Sequence, residues 1–61
     1  MKSYFVIITT AYKDGTVTIH SDNFPHYPTE KEIKEELFLL NEKGYDIYHA
    51  KVEKRYELIW I

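Results

Sequence analysis

The 61-residue chain has no cysteine, few glycines and prolines, and no apolar run near the ~18 residues that a membrane-spanning helix needs. Without cysteine, neither a disulfide bond nor a thiolate metal site stabilises the fold, and a cytoplasmic location is the natural expectation. The N-terminus lacks the charged start and apolar core of a signal peptide. The sequence therefore predicts a soluble protein in which residues 1–61 form one small domain.

Neither sign of charge dominates the chain. Ten acidic and eight basic side chains give a formal net charge of −2, which provides no long-range attraction to a phosphate backbone. Gly15 and Gly44 have the positions of a turn residue and a helix-end residue, so the sequence contains no glycine-rich phosphate loop. This pattern disfavours general nucleic-acid binding and nucleotide chemistry, and we expect no cofactor and no small-molecule substrate.

The N-terminal third has the composition of a β-hairpin. Residues 4–10 and 16–20 are rich in β-branched and aromatic side chains, and Asp14 with Gly15 favours a two-residue type I′ turn between them. A three-residue loop with a glycine bulge would exchange the two faces of the second strand, and we expect the shorter loop. The shorter loop places on one side of the hairpin Tyr4, Val6, Ile8, Val17 and Ile19. We expect this side to be the buried one.

Capping signals at both ends predict one helix over residues 29–43. Thr29 followed by Glu32 matches a capping box. Lys43 and Gly44 supply a cation and a left-handed stop at the C-terminal end. The apolar stripe of this helix consists of Ile33, Leu37 and Leu40.

Phe38 and Leu39 lie off the apolar stripe, on opposite flanks of the helix. One explanation is that the aromatic loop of residues 24–28 folds back over one of them while the rim of the sheet covers the other. The second explanation is that they contact another chain. We expect the first, and keep Phe38 as a candidate partner-binding residue.

The C-terminal third alternates with a period of two, which predicts one long strand over residues 48–60. Its even positions are Tyr48, Ala50, Val52, Lys54, Tyr56, Leu58 and Trp60. The odd positions between them are mostly charged, so we expect the even positions to face the core.

The order strand, strand, helix, strand predicts an α+β fold of the ββαβ type. Because the helix returns the chain along the sheet, the third strand should run parallel to the second and lie beside the first. The prediction is a three-stranded antiparallel or mixed sheet of order 2-1-3 with one helix packed on one face. If even positions pair with even positions, the opposed residues are Tyr4 with Tyr56, Ile8 with Val52, and Tyr12 with Tyr48.

A single helix shields only one face of a sheet, so the predicted fold leaves apolar side chains on the other face. Those side chains are Phe5, Ile7, Ile59 and Ile61, with the cations Lys51 and Arg55 beside them. We expect this set, together with Phe38 on the helix, to bind a second copy of the chain or a larger protein. The alternative is that these residues form ordinary exposed surface.

Residues that could carry chemistry are few. His20, Asp22 and His26 are possible metal ligands, but their spacing matches no compact zinc signature. Ser21 lies between His20 and Asp22, and adjacent strand residues point apart, so these three do not form a hydrolytic triad. We predict no catalytic residue, no metal site and no enzymatic activity.

The expected function is a non-enzymatic protein-protein interaction module or small regulator. A first alternative is single-stranded nucleic-acid binding by sheet aromatics, which would follow if the first strand shifted by one residue and exposed Tyr4 and Tyr12. A second alternative is an inhibitor whose acidic helix imitates a nucleic-acid backbone. Its acidic residues are Glu30, Glu32, Glu35, Glu36 and Glu42, and lysines interrupt their row.

Overall fold

Three strands and one helix make up the computed structural model, which describes residues 2–57. The elements in chain order are β1 (Lys2–Lys13), β2 (Thr16–Phe24), α1 (Glu30–Glu42) and β3 (Asp46–Glu57). The strand order is β2-β1-β3, and β1 is antiparallel to both neighbours, so β2 and β3 run parallel to each other. The predicted ββαβ fold and strand order are therefore confirmed. The strands differ in length from the prediction: β1 and β2 are longer, and the predicted end of β3 lies outside the described residues.

The β1–β2 hairpin has the two-residue loop that Asp14-Gly15 predicts. Lys13 is opposite Thr16, and Asp14 and Gly15 have φ values of 52° and 81°. Positive φ at both central positions is the type I′ geometry, which suits glycine and is tolerated by aspartate. This turn fixes which residues of β2 share a face with which residues of β1.

Both ends of α1 are capped as predicted, with Thr29 and Lys43 as the flanking cap residues. The Thr29 hydroxyl accepts a hydrogen bond from the Glu32 backbone N–H at 3.2 Å, and the Thr29 N–H donates to Glu32 Oε1 at 2.9 Å. Gly44 has φ of 90° and donates its N–H to the Asn41 carbonyl. The helix therefore begins and ends where its backbone groups find local partners.

The helix covers the face of the sheet formed by the odd-numbered residues of β1. The Glu36 carboxyl on α1 lies beside Asp22, which is opposite Ile7 in the β1–β2 pairing. At the other end of the helix, the Tyr45 ring packs 4.8 Å from the ring of His20, which is opposite Thr9. The core under the helix is small. Its buried members are Ile7, Thr9, Ala11 and, from the helix, Leu40.

The prediction that the helix covers the even-numbered residues of β1 is therefore wrong. Ile7 is only 1% exposed, and Phe5 packs edge-on against Tyr27 with ring centroids 5.4 Å apart, so both lie on the helix side and not on the opposite face. Val17 and Ile19, which were expected under the helix, face away from it. The physical reason is that β1 is apolar on both faces, so its periodicity does not indicate which face the helix covers.

The β1–β3 register differs from the predicted one by one residue as far as Thr10, and by two residues beyond a bulge at that point. Ile7 is opposite Val52 and Thr9 is opposite Ala50, so even positions of β3 share a face with odd positions of β1. Ala50 and Val52 face the helix side, as the alternation of β3 predicted. The expected even-with-even pairs do not form. Tyr4 is instead opposite Arg55, Ile8 opposite Lys51, and Tyr12 opposite Asp46.

A β-bulge interrupts β3 near its start. Thr10 is opposite His49 whereas Ala11 is opposite Ile47, which leaves Tyr48 as an extra residue. The bulge lets Ile47 take the helix side and turns Tyr48 to the opposite face, where its ring lies 6.1 Å from that of Tyr12. The predicted inward orientation of Tyr48 is therefore wrong.

The aromatic loop of residues 24–28 does not cover the exposed helix residues. Phe38 is 61% exposed and Leu39 is 54% exposed. The loop packs instead at the other end of the sheet, where Tyr27 contacts Phe5. The expectation that the loop and the sheet rim shield Phe38 and Leu39 is wrong.

Candidate protein-interaction surface

The face of the sheet opposite α1, here called the open face, is not covered by any other element of residues 2–57. Val17 is 55% exposed and Ile19 is 72% exposed on this face. In the β1–β2 pairing, Val17 is opposite Tyr12 and Ile19 is opposite Thr10. We define the open-face patch as Ile8, Tyr12, Val17, Ile19 and Tyr48.

Strand β2 has an inverted amphipathicity over residues 16–22: its polar side chains face the helix, and its apolar side chains face the open side of the sheet. The side chains that it directs toward the helix side are Thr16, Thr18, His20 and Asp22, all of them polar. Thr18 Oγ1 and His20 Nε2 are hydrogen-bonded to each other at 2.8 Å. Between these residues, Val17 and Ile19 point to the open face. A strand that serves only the core of its own chain has the opposite arrangement, because burying apolar and not polar side chains is favourable.

A row of charged side chains on β3 borders the open-face patch. Lys51 Nζ lies 3.5 Å from one carboxylate oxygen of Glu53, and Arg55 Nε lies 3.7 Å from the other. These residues are opposite Ile8, Val6 and Tyr4 respectively. Val6 also lies on the open face and is only 1% exposed. The open face thus combines an apolar half with a charged rim, which is a common composition of protein interfaces.

The structure separates the residues that the sequence assigned to one partner-binding set. Lys51 and Arg55 lie on the open face, whereas Phe5 and Ile7 lie on the helix side. Phe38 is exposed on α1. Ile59 and Ile61 lie outside the described residues.

All five residues of the open-face patch were predicted to face the helix, so sequence reasoning missed the whole patch. The alternation of β2 between apolar Val17 and Ile19 and polar Thr18 and His20 was a usable signal, since a polar inner face contradicts burial of the strand. The position of Tyr48 had no comparable signal, because it depends on the bulge.

The candidate metal ligands are engaged elsewhere and do not converge. His20 bonds Thr18, and His26 Nε2 lies 3.0 Å from Glu32 Oε1. Within residues 2–57, no three His, Asp or Glu side chains are grouped closely enough to hold a metal ion.

Two carboxyl groups have shifted pKa values. The Thr29 backbone N–H, and then the His26 side chain, lower the pKa of Glu32. Partial burial, and then the neighbouring Asp22 carboxyl, raise the pKa of Glu36. The first shift belongs to the helix cap and the second to packing of α1 on β2, so neither group lies on the open face.

None of the helical segments in the described range has the length and apolar character needed to cross a membrane. Comparison of the chain with protein-family models, with curated proteins and with solved structures found no match.

Proposed function

We propose that this chain is a non-enzymatic protein-interaction module that binds another polypeptide through the open-face patch. The observation that supports this proposal is the inverted amphipathicity of β2, in which Val17 and Ile19 face outward while Thr18 and His20 face the helix side. The absence of cysteine is consistent with action in the cytoplasm.

The energetic case depends on how much apolar surface a partner would remove from water. Complete burial of a side chain such as isoleucine is worth about 1.5–3 kcal/mol. Ile19 and Tyr48 are 72% and 63% exposed, so each retains most of this potential gain. Lys51, Glu53 and Arg55 would form the polar rim of the interface. The partner chemistry that fits is an apolar polypeptide surface with charged groups along one side.

The test uses two glutamate substitutions at equally exposed aromatic residues. Tyr48 lies on the open face and is 63% exposed, whereas Phe38 lies on α1 and is 61% exposed. Tagged wild type, Tyr48→Glu and Phe38→Glu are expressed in the native source, and the polypeptides that co-purify with each are quantified. Loss of the bound polypeptide in Tyr48→Glu and its retention in Phe38→Glu support the proposal. Equal retention by both variants contradicts it, provided that the melting temperatures match.

A second candidate function, single-stranded nucleic-acid binding, is favoured by one observation. Tyr4 and Tyr12 lie on the open face together with Tyr48. The cations Lys51 and Arg55 lie on the same face. Exposed aromatic rings on a sheet stack unpaired bases, and cations beside them contact phosphates. The acidic side chains on the same face are Asp46, Glu53 and Glu57. They offset these cations, which is why this function ranks second.

Fluorescence anisotropy with a labelled single-stranded oligonucleotide separates the two functions. Binding that weakens with salt and is lost in Tyr48→Ala, but not in Tyr27→Ala, supports the nucleic-acid function. Tyr27 is a matched control because it is 62% exposed and packs on Phe5 at the helix side. No binding at low salt removes this candidate.

The helix glutamates do not form a free acidic row. Glu30 pairs with Lys34 at 2.9 Å, Glu32 belongs to the capping box, and Glu36 lies beside Asp22. The hypothesis of a nucleic-acid mimic therefore gains no support from the arrangement of α1.

A further inference from the structure

We propose that two copies of the chain associate by antiparallel pairing of their β2 edges into one six-stranded sheet. This inference goes beyond the proposed function, because it concerns the free β2 edge of the sheet and not binding through the open-face patch. Four observations on the edges of the sheet lead to it.

The two edges of the sheet differ in how they are protected against strand pairing. Strand β3 forms one edge, and it carries Lys51, Lys54 and Arg55 as well as a bulge. Lysines, other charges and bulges are the features with which natural proteins block edge-to-edge association. Strand β2 forms the other edge and has nine residues without lysine, arginine or proline. Its register with β1 continues without interruption from Thr16 to Phe24.

The backbone of β2 offers free hydrogen-bonding groups on this edge. In a two-residue hairpin the residues flanking the turn, Lys13 and Thr16, form a hydrogen-bonded pair, and such pairs then alternate along the ladder. Val17, Ile19 and Ser21 therefore direct their N–H and C=O groups away from β1. No strand within residues 2–57 accepts or donates to them.

The β2 sequence is complementary to itself in the antiparallel orientation. A two-fold axis at Ile19 pairs residues 16–22 of each copy, with Ile19 opposite Ile19 of the partner subunit. Val17 is then opposite Ser21, Thr18 opposite His20, and Thr16 opposite Asp22. No like charges face each other. Each residue whose N–H and C=O point outward is opposite another such residue, so the two backbones can form hydrogen bonds across the interface.

Pairing in this register also joins the two open-face patches. Side chains of opposed residues lie on the same face of an antiparallel pair, so Val17 and Ile19 of both copies become neighbours. Ile19, the most exposed of the large apolar side chains in the described residues, moves from a sheet edge to the centre of a wider sheet. This change gives the outward orientation of Ile19 a physical reason.

The decisive experiment places a proline on the free edge. Ser21→Pro removes an outward N–H without removing a hydrogen bond to β1, whereas Ser21→Ala leaves the backbone unchanged. Sedimentation equilibrium from micromolar to millimolar protein should show wild type and Ser21→Ala approaching twice the monomer mass. Because the two-fold axis doubles the loss, Ser21→Pro should weaken the dimer at least about tenfold. Equal association of Ser21→Pro and Ser21→Ala overturns the inference.

A cysteine cross-link gives a second readout, which does not depend on whether the proline variant folds. The chain has no cysteine, so Ile19→Cys introduces a single thiol. Opposed hydrogen-bonded residues have Cα atoms ~5.5 Å apart, which is within the range of a disulfide bond. Under mild oxidation, Ile19→Cys should form a covalent dimer much faster than Asn41→Cys, whose thiol lies on the exposed helix. Equal rates overturn the inference.

These readouts distinguish failure of the inference from failure of the proposed function. A wild-type chain that stays monomeric at millimolar concentration, yet binds another polypeptide in a Tyr48-dependent manner, overturns edge pairing and leaves the interaction module standing. A dimer that Tyr48→Glu abolishes and Ser21→Pro does not also overturns edge pairing. A dimer that only Ser21→Pro abolishes supports it.

Discussion

Glu36 on α1 lies beside Asp22 on β2, and the two carboxyl groups form a like-charged pair at the junction of helix and sheet. Partial burial first, and the Asp22 carboxyl second, raise the pKa of Glu36 above its ordinary value of 4.5, while Lys43 acts in the opposite direction. A pKa that is higher in the folded state means that ionisation of Glu36 disfavours folding. The contribution of the protonated Glu36 carboxyl to stability is complete below the unfolded pKa and is lost as the pH rises through the folded pKa.

Glu36→Gln should therefore raise the melting temperature at pH 7, and the gain should shrink as the pH falls through the folded pKa and be absent below about 4.5. The gain in the free energy of unfolding should stay below about 1 kcal/mol, because solvent screens a pair at this partly exposed site. Glu35→Gln, at an exposed neighbouring position, is the control. Thermal unfolding followed by circular dichroism at several pH values measures both variants. A gain that grows toward low pH would contradict the assigned cause.

The capping box predicts the cost of losing the Thr29 side chain. Thr29→Ala should lower the free energy of unfolding by about 1 kcal/mol, because the Glu32 N–H loses its acceptor. Thr29→Ser keeps the hydroxyl and should stay close to wild type. Urea unfolding measures both, and equal losses in the two variants would show that the hydroxyl does not contribute.

Glu32 predicts a pH dependence of the opposite sign to that of Glu36. The Thr29 N–H and the His26 side chain lower its pKa in the folded state, so its contribution to stability is present above 4.5 and is lost as the pH falls through the folded pKa. When the pH is lowered from neutral to below the folded pKa of Glu32, the free energy of unfolding should consequently fall less in Glu32→Gln than in wild type. Urea unfolding at several acidic pH values measures this loss. An equal loss in Glu32→Gln and wild type would contradict the lowered pKa.

Two isoleucines test which face of the sheet the helix covers. Ile7 is 1% exposed and Ile19 is 72% exposed, so the same substitution probes a buried site and an open one. Ile7→Ala should lower the free energy of unfolding by about 2–5 kcal/mol, enough to unfold a marginal domain of this size. Ile19→Ala should change it by less than about 0.5 kcal/mol in dilute protein. The reverse order in urea unfolding would place the helix on the other face.

Thr9 predicts a stabilising substitution. The residue is 1% exposed, and its hydroxyl has no hydrogen-bond partner within the described residues. Thr9→Val replaces the hydroxyl by a methyl group of similar size and should raise the free energy of unfolding by about 1 kcal/mol. Thr10→Val, at the half-buried neighbouring position, is the control. Destabilisation by Thr9→Val would mean that the hydroxyl has a partner in solution.

The sequence was sufficient for the parts of the fold that local chemistry determines. Asp14-Gly15 specified the turn, and Thr29 with Glu32 specified the start of the helix, because each signal involves only neighbouring residues. The strand order followed from connectivity alone.

The candidate site could not be predicted in the same way, because it depends on which face of β1 the helix covers. Phe5 and Ile7 on one face are as apolar as Val6 and Ile8 on the other, so the alternation in β1 does not distinguish the faces. The choice depends on long-range packing and on the β1–β3 register. The bulge at Tyr48 then reverses one aromatic side chain, and no local pattern marks it.

Ile19 points away from the helix and is 72% exposed, and the proposed function requires that another polypeptide covers it. Methyl-labelled NMR with a soluble paramagnetic probe measures this directly, since the chain can be observed in dilute solution, at high concentration and with a co-purifying partner. In dilute protein the probe should broaden the Ile19 methyl signal and spare that of Ile7. At high concentration or with the partner, the Ile19 signal should become protected. An Ile19 methyl that stays equally accessible in every sample would contradict the proposal that another polypeptide covers the open-face patch.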